Sequence, residues 1–514
     1  MSIYQPIEKA GENRRVYQLT SPVTMEPIGE LVCANTEDVK AAVAKARKAQ
    51  TAWAEMPVEA RAKVIQKAVQ VILKRQDEII DTVIKETGKA PADALSMEIF
   101  SVVDAMTYYA KHAKKFLATE KRKVPGIVGL TKKMKIVYKP LGVVGIIVPW
   151  NGPFVLAANP AVQALLAGNA VVLKGSEVTP YSSKLLEDIY REAGMPDGVV
   201  QVLMGDGQTG ADLVEAGVDK ISFTGSVNTG RKVAEACARQ LIPVTLELGG
   251  KDAMIVCADA NLDRAVDGAL AGSCMNTGHY CCGTERIYVM ESIYDEFVAK
   301  VVEKTKTLKQ GAEHGGNEDV GAVFWDKQMT IIESHVEDAR AKGAKIHVGG
   351  SRNTELKGLY YLPTVITDVT HDMTIMRDET FGPIICIQKV RDENEALRLA
   401  NDSEFGLNGN VWTSDLDKGF NLARRIDTGG VSVNDMAMTY GVPTAPFGGR
   451  KHSGVGQVNS ITGIRGYCFA QPILIDKGKG KLQSGYPYTS DNVEGMKKFI
   501  NFLWGKTPLG RWLA

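Results

Sequence analysis

Val143-Val144-Gly145-Ile146-Ile147-Val148-Pro149-Trp150-Asn151 is the stretch whose reading sets the fold class. An apolar run stopped by a proline fits a strand covered on both faces, as strands of a parallel sheet are. The texture repeats downstream. Short β-rich runs at residues 170–173, 199–203, 221–223 and 244–246 alternate with helical stretches, which predicts an α/β domain around a parallel sheet. After Gly250 a second alternation places strands at 253–256, 286–290, 346–348 and 384–390, with helices at 293–308 and 326–341. It predicts a second α/β domain.

Upstream, residues 36–115 follow a helical period: Val39, Ala42, Val43 and Ala46 recur at three-four spacing, as do Ile65, Val69, Ile72 and Leu73, and Ile79, Ile80, Val83 and Ile84. Thr36 is the expected N-cap, without a capping box. Residues 127–139 and 466–476 read as strands with no helices of their own.

A chain of 514 residues, 44% of them hydrophobic, is too long for one core and is expected to be multidomain. Its 61 basic and 60 acidic residues nearly cancel, so no charge excess recommends nucleic acid as a partner. The eight cysteines, at 33, 237, 257, 274, 281, 282, 386 and 468, form neither a disulfide framework nor a paired C-x-x-C metal site. With no apolar leader at the N-terminus and no apolar run near the roughly 20 residues needed to cross a bilayer, the expected compartment is the cytoplasm.

Two segments carry chemistry: Leu246-Glu247-Leu248-Gly249-Gly250-Lys251, and Asn276-Thr277-Gly278-His279-Tyr280-Cys281-Cys282. A thiol can form a covalent acyl intermediate, and a carboxylate can prepare the water that cleaves it. Around them stand Pro149-Trp150-Asn151, Lys174-Gly175-Ser176-Glu177, Phe223-Thr224-Gly225-Ser226, Glu379-Thr380-Phe381-Gly382-Pro383 and Pro446-Phe447-Gly448-Gly449. In this order, over residues 20–475, the blocks resemble the hydrolytic aldehyde dehydrogenase superfamily.

The resemblance implies a Rossmann-like NAD-binding domain (residues 1–116 and 140–249), an α/β catalytic domain (250–450) and a β oligomerisation arm (117–139 and 466–485). It implies that Cys281 is the nucleophile, that Glu247 activates the water that hydrolyses the thioester, and that Asn151 donates to the oxyanion. A glutamate at this position argues against coenzyme A as acyl acceptor. Cys282 is a packing neighbour or, less simply, a second thiol.

Gly205-Asp206-Gly207-Gln208-Thr209-Gly210 satisfies G-x-G-x-x-G after a strand and, taken alone, would mark a pyrophosphate site. The resemblance instead places the cofactor at Gly225, Ser226 and a helix beginning near Thr229. Lys174 and Glu177 are assigned to the adenosine ribose, where a carboxylate repels a 2′-phosphate and favours NAD over NADP. Gly175 departs from the proline of many relatives. Val148, Trp150, Gln328, Glu379 and Phe381 complete the expected cofactor contacts.

For the substrate tunnel the resemblance names Leu156, Asn159, Tyr280, Phe447 and the loop 435–446. That loop holds Met436, Met438, Tyr440 and Val442 but no arginine, and a distal carboxylate would want a fixed cation. An apolar or aromatic aldehyde is therefore expected, with Arg450 keeping a semialdehyde open. A coenzyme A-acylating enzyme fits Glu247 less well, and a non-enzymatic scaffold has no need of Asn151, Glu247 and Cys281 together.

Residues 486–514 extend past the resemblance. Ser490-Asp491-Asn492 offers helix caps, Val493, Met496, Ile500 and Leu503 form an apolar stripe, and Phe499, Trp504, Trp512 and Leu513 add bulk. Lys497, Lys498, Lys506 and Arg511 outnumber Glu494. Such a segment either docks on protein, its own or a partner's in a homodimer or homotetramer, or lies on a membrane surface. Docking is the favoured expectation.

Overall fold

Parallel strands that bury both faces need helices on both sides, and the chain supplies them twice. The computed structural model describes residues 2–7, 14–126, 128–313, 316–436, 439–476, 478 and 486–505. Residue Ile127, where the predicted arm strand begins, and Met438, Lys506, Arg511, Trp512 and Leu513 lie outside the described residues.

The first sheet has the order Gly454–Val455, Val244–Glu247, Lys220–Thr224, Val143–Ile147, Ala170–Lys174, Val200–Leu203. All neighbours are parallel except the short Gly454–Val455 edge. By position in the chain, the parallel strands run 5-4-1-2-3 across the sheet, so connections leave strand one in opposite directions on its two sides. That reversal, between Val143–Ile147 and Lys220–Thr224, opens a crevice at the carboxyl ends of the strands, the place where open α/β sheets bind ligands.

The second sheet has the order Lys345–Val348, Thr364–Thr367, Ile384–Val390, Thr284–Met290, Asp252–Val256, Gly409–Trp412, Ser432–Val433. Its strand Asp252–Val256 is buried throughout. Arg286 ties this sheet to its surroundings, donating from a buried guanidinium to the main-chain oxygens of Lys251, Leu399 and Ala400.

The helical expectation for 36–115 resolves into Thr36–Glu55, Val58–Lys74, Gln76–Thr87, a π-helical segment Ala94–Phe100 and Ser101–Phe116. The first cap differs from expectation. Asn35 is the N-cap, accepting from Asp38 N while Asp38 accepts from Asn35 N, a reciprocal box that lies one residue ahead of the expected Thr36. The arm is a three-stranded antiparallel sheet in the order Cys468–Asp476, Lys132–Pro140, Glu120–Arg122. Val128–Thr131, expected as strand, forms a helical turn instead. An N-terminal meander of Tyr4–Ile7, Val16–Thr20 and Pro27–Val32 adds a sheet that the sequence pattern does not announce.

Ser490–Trp504 is helical, capped by Thr489 rather than by Ser490, Asp491 or Asn492. Val493, Met496 and Ile500 of its stripe are exposed and Leu503 is buried. Among the described residues no helix is long and apolar enough to cross a membrane.

Candidate active site

Asn151 follows the strand Val143–Ile147, Gly225 and Ser226 follow Lys220–Thr224, and Glu247 closes Val244–Glu247. Cys281 comes from the other sheet's side, between the 3₁₀ turn Met275–Gly278 and the strand Thr284–Met290. The crevice at the strand reversal brings them together. A cavity of about 300 Å³ is lined by Asn151, Glu247 and Cys281 and also by the expected Trp150, Gly225, Ser226, Gln328, Glu379 and Phe381.

A second, narrower cavity of about 40 Å³ meets the same thiol. Asn151 and Cys281 line it too, with Leu156, Tyr280, Tyr440 and, from the π-helical region, Met97 and Ser101. Cys281 thus lines both spaces. The chain neighbours of its outer residues, Phe100 beside Ser101 and Val442 beside Gly441, are 68% and 40% exposed.

Several expected residues stand elsewhere. Val148, Lys174 and Glu177 are not among the cavity-lining residues: Val148 is buried at the strand end, and Lys174 Nζ pairs with Glu177 Oε2 at 3.2 Å. Asn159 is committed to a buried amide network, donating to Asn459 Oδ1 at 2.9 Å and Tyr440 Oη at 3.2 Å. Phe447 sits behind the tunnel, edge-on to Tyr440 and packed with Cys282. Arg450 pairs with Asp427 at 2.8 Å.

The G-x-G-x-x-G segment binds its own carboxylate. Asp206 caps the helix Gly207–Glu215 by accepting from Gln208 N and Thr209 N, and it also holds Arg15 and Tyr17. Those amides are already satisfied. At the helix Val227–Gln240, which begins two residues before Thr229, the cap is the neutral Ser226 hydroxyl beside the cavity. Its end of the helix dipole is free to favour an anion.

Electrostatics set Glu247 and Cys281 apart from ordinary carboxyl and thiol groups. Both oxygens of Glu247 are buried without a hydrogen-bond partner among the described residues, and burial, followed by the nearby Cys281, raises its pKa well above the carboxylate range. The Cys281 thiol is also raised, by its contact with Cys282 and then by burial. Burial, with Glu285 beside it, pushes Glu379 up to about 8 while its Oε1 accepts from Gly250 N at 2.9 Å.

The loop before Cys281 is strained. Asn276, Thr277 and Gly278 are successively left-handed (φ 56°, 57° and 73°), which for a threonine costs about 1–3 kcal/mol. A Cβ on Gly278 would lie 2.0 Å from Gly382 O. Asp93 Oδ2 accepts from Asn276 N at 2.7 Å and helps hold the turn. His279, neutral because burial lowers its pKa to about 3, packs among Trp150, Phe324 and Phe381.

Sequence reading misses Met97 and Ser101, which approach from a remote helix, and Glu285, whose oxygens accept from Thr380 N and Phe381 N at 2.9 Å each. No local pattern announces these partners.

Residues 8–473 match the model of the aldehyde dehydrogenase family. The chain belongs to the aldehyde dehydrogenase family. A 4,4'-diapolycopene aldehyde oxidase from Methylomonas sp is 38% identical over 490 residues, 95% of this chain and 91% of that one. A putative NADP(+) succinate-semialdehyde dehydrogenase from Mycolicibacterium smegmatis is 38% identical over 92% of this chain and 89% of its own length. The crystal structure of a Mycobacterium tuberculosis aldehyde dehydrogenase complexed with NAD+ superposes with a TM-score of 0.86 at 36% identity, covering 92% of this chain and 97% of that one. This aldehyde dehydrogenase is therefore an oxidoreductase built on two largely parallel sheets.

Proposed function

We propose that the enzyme oxidises a long apolar or aromatic aldehyde to its carboxylic acid through a thioester on Cys281, with NAD preferred to NADP. The observation that carries this reading is the meeting of two cavities at one thiol. The narrower one is lined by apolar and neutral residues, with Phe100 and Val442 exposed next to its outer residues.

In this reading the aldehyde enters past Ser101 and Leu156, and the Cys281 sulfur, its proton already lost to solvent, bonds to the carbonyl carbon as the C=O π bond breaks. The carbonyl oxygen takes the negative charge. Asn151 Nδ2 and the Cys281 N–H donate to it, and one such donor is typically worth about 2.7–4 kcal/mol in the transition state. A nicotinamide cofactor, when bound, would supply the hydride acceptor that oxidation of the thiohemiacetal to a thioester needs. Trp150, Phe381 and the Ser226-capped helix would hold that cofactor, since they line the larger cavity. Glu247 then takes a proton from water as its oxygen attacks the thioester carbon, and the acid leaves as the C–S bond breaks. Its two unpartnered oxygens support that role over a structural ion pair.

The relatives' names divide on substrate, one referring to 4,4'-diapolycopene aldehyde and the other to succinate semialdehyde. A neutral tunnel and the Arg450–Asp427 pair favour the first kind. They divide on cofactor as well, because one relative is named for NADP(+) and a structural neighbour is complexed with NAD+. Glu177 supports NAD, moderated by its pairing with Lys174.

In the same reading, residues 1–116 and 140–249 bind the cofactor, 250–450 carry the nucleophile, and the arm 117–139 with 466–485 pairs subunits in a cytoplasmic homodimer or homotetramer. The exposed Phe469, Ile473, Leu474 and Ile475 on the arm's edge strand support pairing. Residues 486–514 dock on a partner subunit, with peripheral membrane contact as the competing role. A panel of aldehydes, graded in chain length and with or without a distal carboxylate, should be assayed by NADH and NADPH formation. Highest kcat/KM on a long neutral aldehyde with NAD is expected, and a clear preference for a short semialdehyde would overturn the substrate assignment.

A further inference from the structure

Beneath Asn151 lies an ion pair with no exposure at all. Lys89 Nζ stands 2.5 Å from Glu98 Oε1, and both side chains are completely buried. Lys89 also donates to the main-chain oxygen of Asn151 at 3.1 Å. The other oxygen of Glu98 accepts from Phe154 N at 3.1 Å and Val155 N at 2.7 Å. The pair therefore grips the 151–155 turn at both ends.

The same turn is tied to the nucleophile's loop. Asn276 Nδ2 reaches Asn151 O at 2.9 Å and His279 O at 2.6 Å, while Asn151 Nδ2 donates to His279 O at 3.1 Å. An amide nitrogen carries two hydrogens. With one bound to His279 O, the other remains for an oxygen in the cavities that Asn151 and Cys281 share. A well-packed apolar pair would hold a fold at least as well as a buried Lys–Glu pair, so stability alone does not account for these charges. Their hydrogen bonds to the turn do.

We infer that Lys89 and Glu98 are positioning residues for the oxyanion site, fixing the main chain from which the Asn151 carboxamide projects toward Cys281. This rests on the reading of Asn151 as the oxyanion donor. Neither residue lines either cavity, and the pair acts through Asn151.

The test is a mutant cycle read in kcat/KM for aldehyde oxidation, with Cys281 alkylation by iodoacetamide and the melting temperature followed in parallel. Asn151→Ala alone should lower kcat/KM by about 100-fold or more. Lys89→Met combined with Glu98→Gln, which removes both charges together, should cost about 10-fold or more in the parent enzyme but less than about 2-fold when Asn151→Ala is already present. Alkylation of the thiol should keep its rate. Should that combination fail to fold, Glu98→Gln by itself keeps an acceptor for the turn and should show a few-fold loss with the same dependence on Asn151. Equal losses in both backgrounds, beside a normal Asn151→Ala defect, would overturn the positioning role alone. An Asn151→Ala enzyme of full activity would instead overturn the donor assignment on which it rests.

Discussion

The Asn151 side chain donates to the main-chain oxygen of His279 at 3.1 Å, joining the turn after Val143–Ile147 to the loop that carries Cys281 two residues later. The bond spans the two sheets and ties the turn of one to the Cys281 loop of the other. Any change that displaces either segment should register in the acylation step first.

Cys281→Ala should abolish aldehyde oxidation, whereas Glu247→Gln should chiefly slow deacylation and let an acyl-enzyme accumulate. Intact-protein mass spectrometry after mixing with aldehyde and NAD reads the adduct. Steady turnover by the Cys281→Ala enzyme would end the nucleophile assignment.

Burial raises Glu247, and the contact with Cys282 followed by burial raises Cys281; in the proposed mechanism both act in their deprotonated forms. Turnover should therefore decline as pH falls, with an acid limb lying above the ordinary carboxylate range. The same shift has a thermodynamic sign. A carboxyl whose folded pKa is raised contributes stability below the ordinary pKa and loses it as pH rises toward the folded value. Glu247→Gln should accordingly raise the melting temperature more at pH 8 than at pH 4. An equal change at both pH values would contradict a buried acid with a raised pKa.

Glu177→Ser should narrow the ratio of kcat/KM values for NAD and NADP. The 3.2 Å contact with Lys174 already offsets part of the carboxylate's charge, so only a modest narrowing, about 3- to 10-fold, is expected. A parent enzyme that prefers NADP would refute the premise.

Phe100→Ser should lower kcat/KM about 3- to 10-fold for aldehydes long enough to leave the tunnel and spare three-carbon substrates, since only a long chain covers the exposed ring. A uniform loss along the series would mean that Phe100 supports the helix rather than the substrate.

Deleting residues after Gly485 distinguishes the two roles of the terminal helix. Docking on a partner subunit predicts a lower melting temperature or altered assembly without lipid. Unchanged assembly and melting, with loss of binding to anionic vesicles that weakens as salt rises, would assign the helix to a membrane surface.

The first sheet is legible because its strands are short apolar runs and their spacing leaves room for helices. The Gly454–Val455 edge is not, since two residues carry no period and their partner Val244–Glu247 lies far back in the chain. The N-terminal meander escapes for a related reason: Val16–Thr20 buries Val16 and Leu19 rather than alternate residues. In the site, Glu247, Cys281 and Asn151 are visible as blocks. Lys89, Glu98 and Glu285 are not, because their meaning comes from main-chain groups that folding brings to them. Glu177 is visible without the charge-sharing that its contact with Lys174 brings.

A thiol set between two cavities has two doors. A molecule wedged against Tyr440 and Leu156 closes one of them while leaving the space beside Glu379 and Phe381 open. Under the proposed assignment of the cavities, blockers of this kind would compete with aldehyde and not with the nucleotide, and a linear compound threaded past Cys281 would shut both entrances at once.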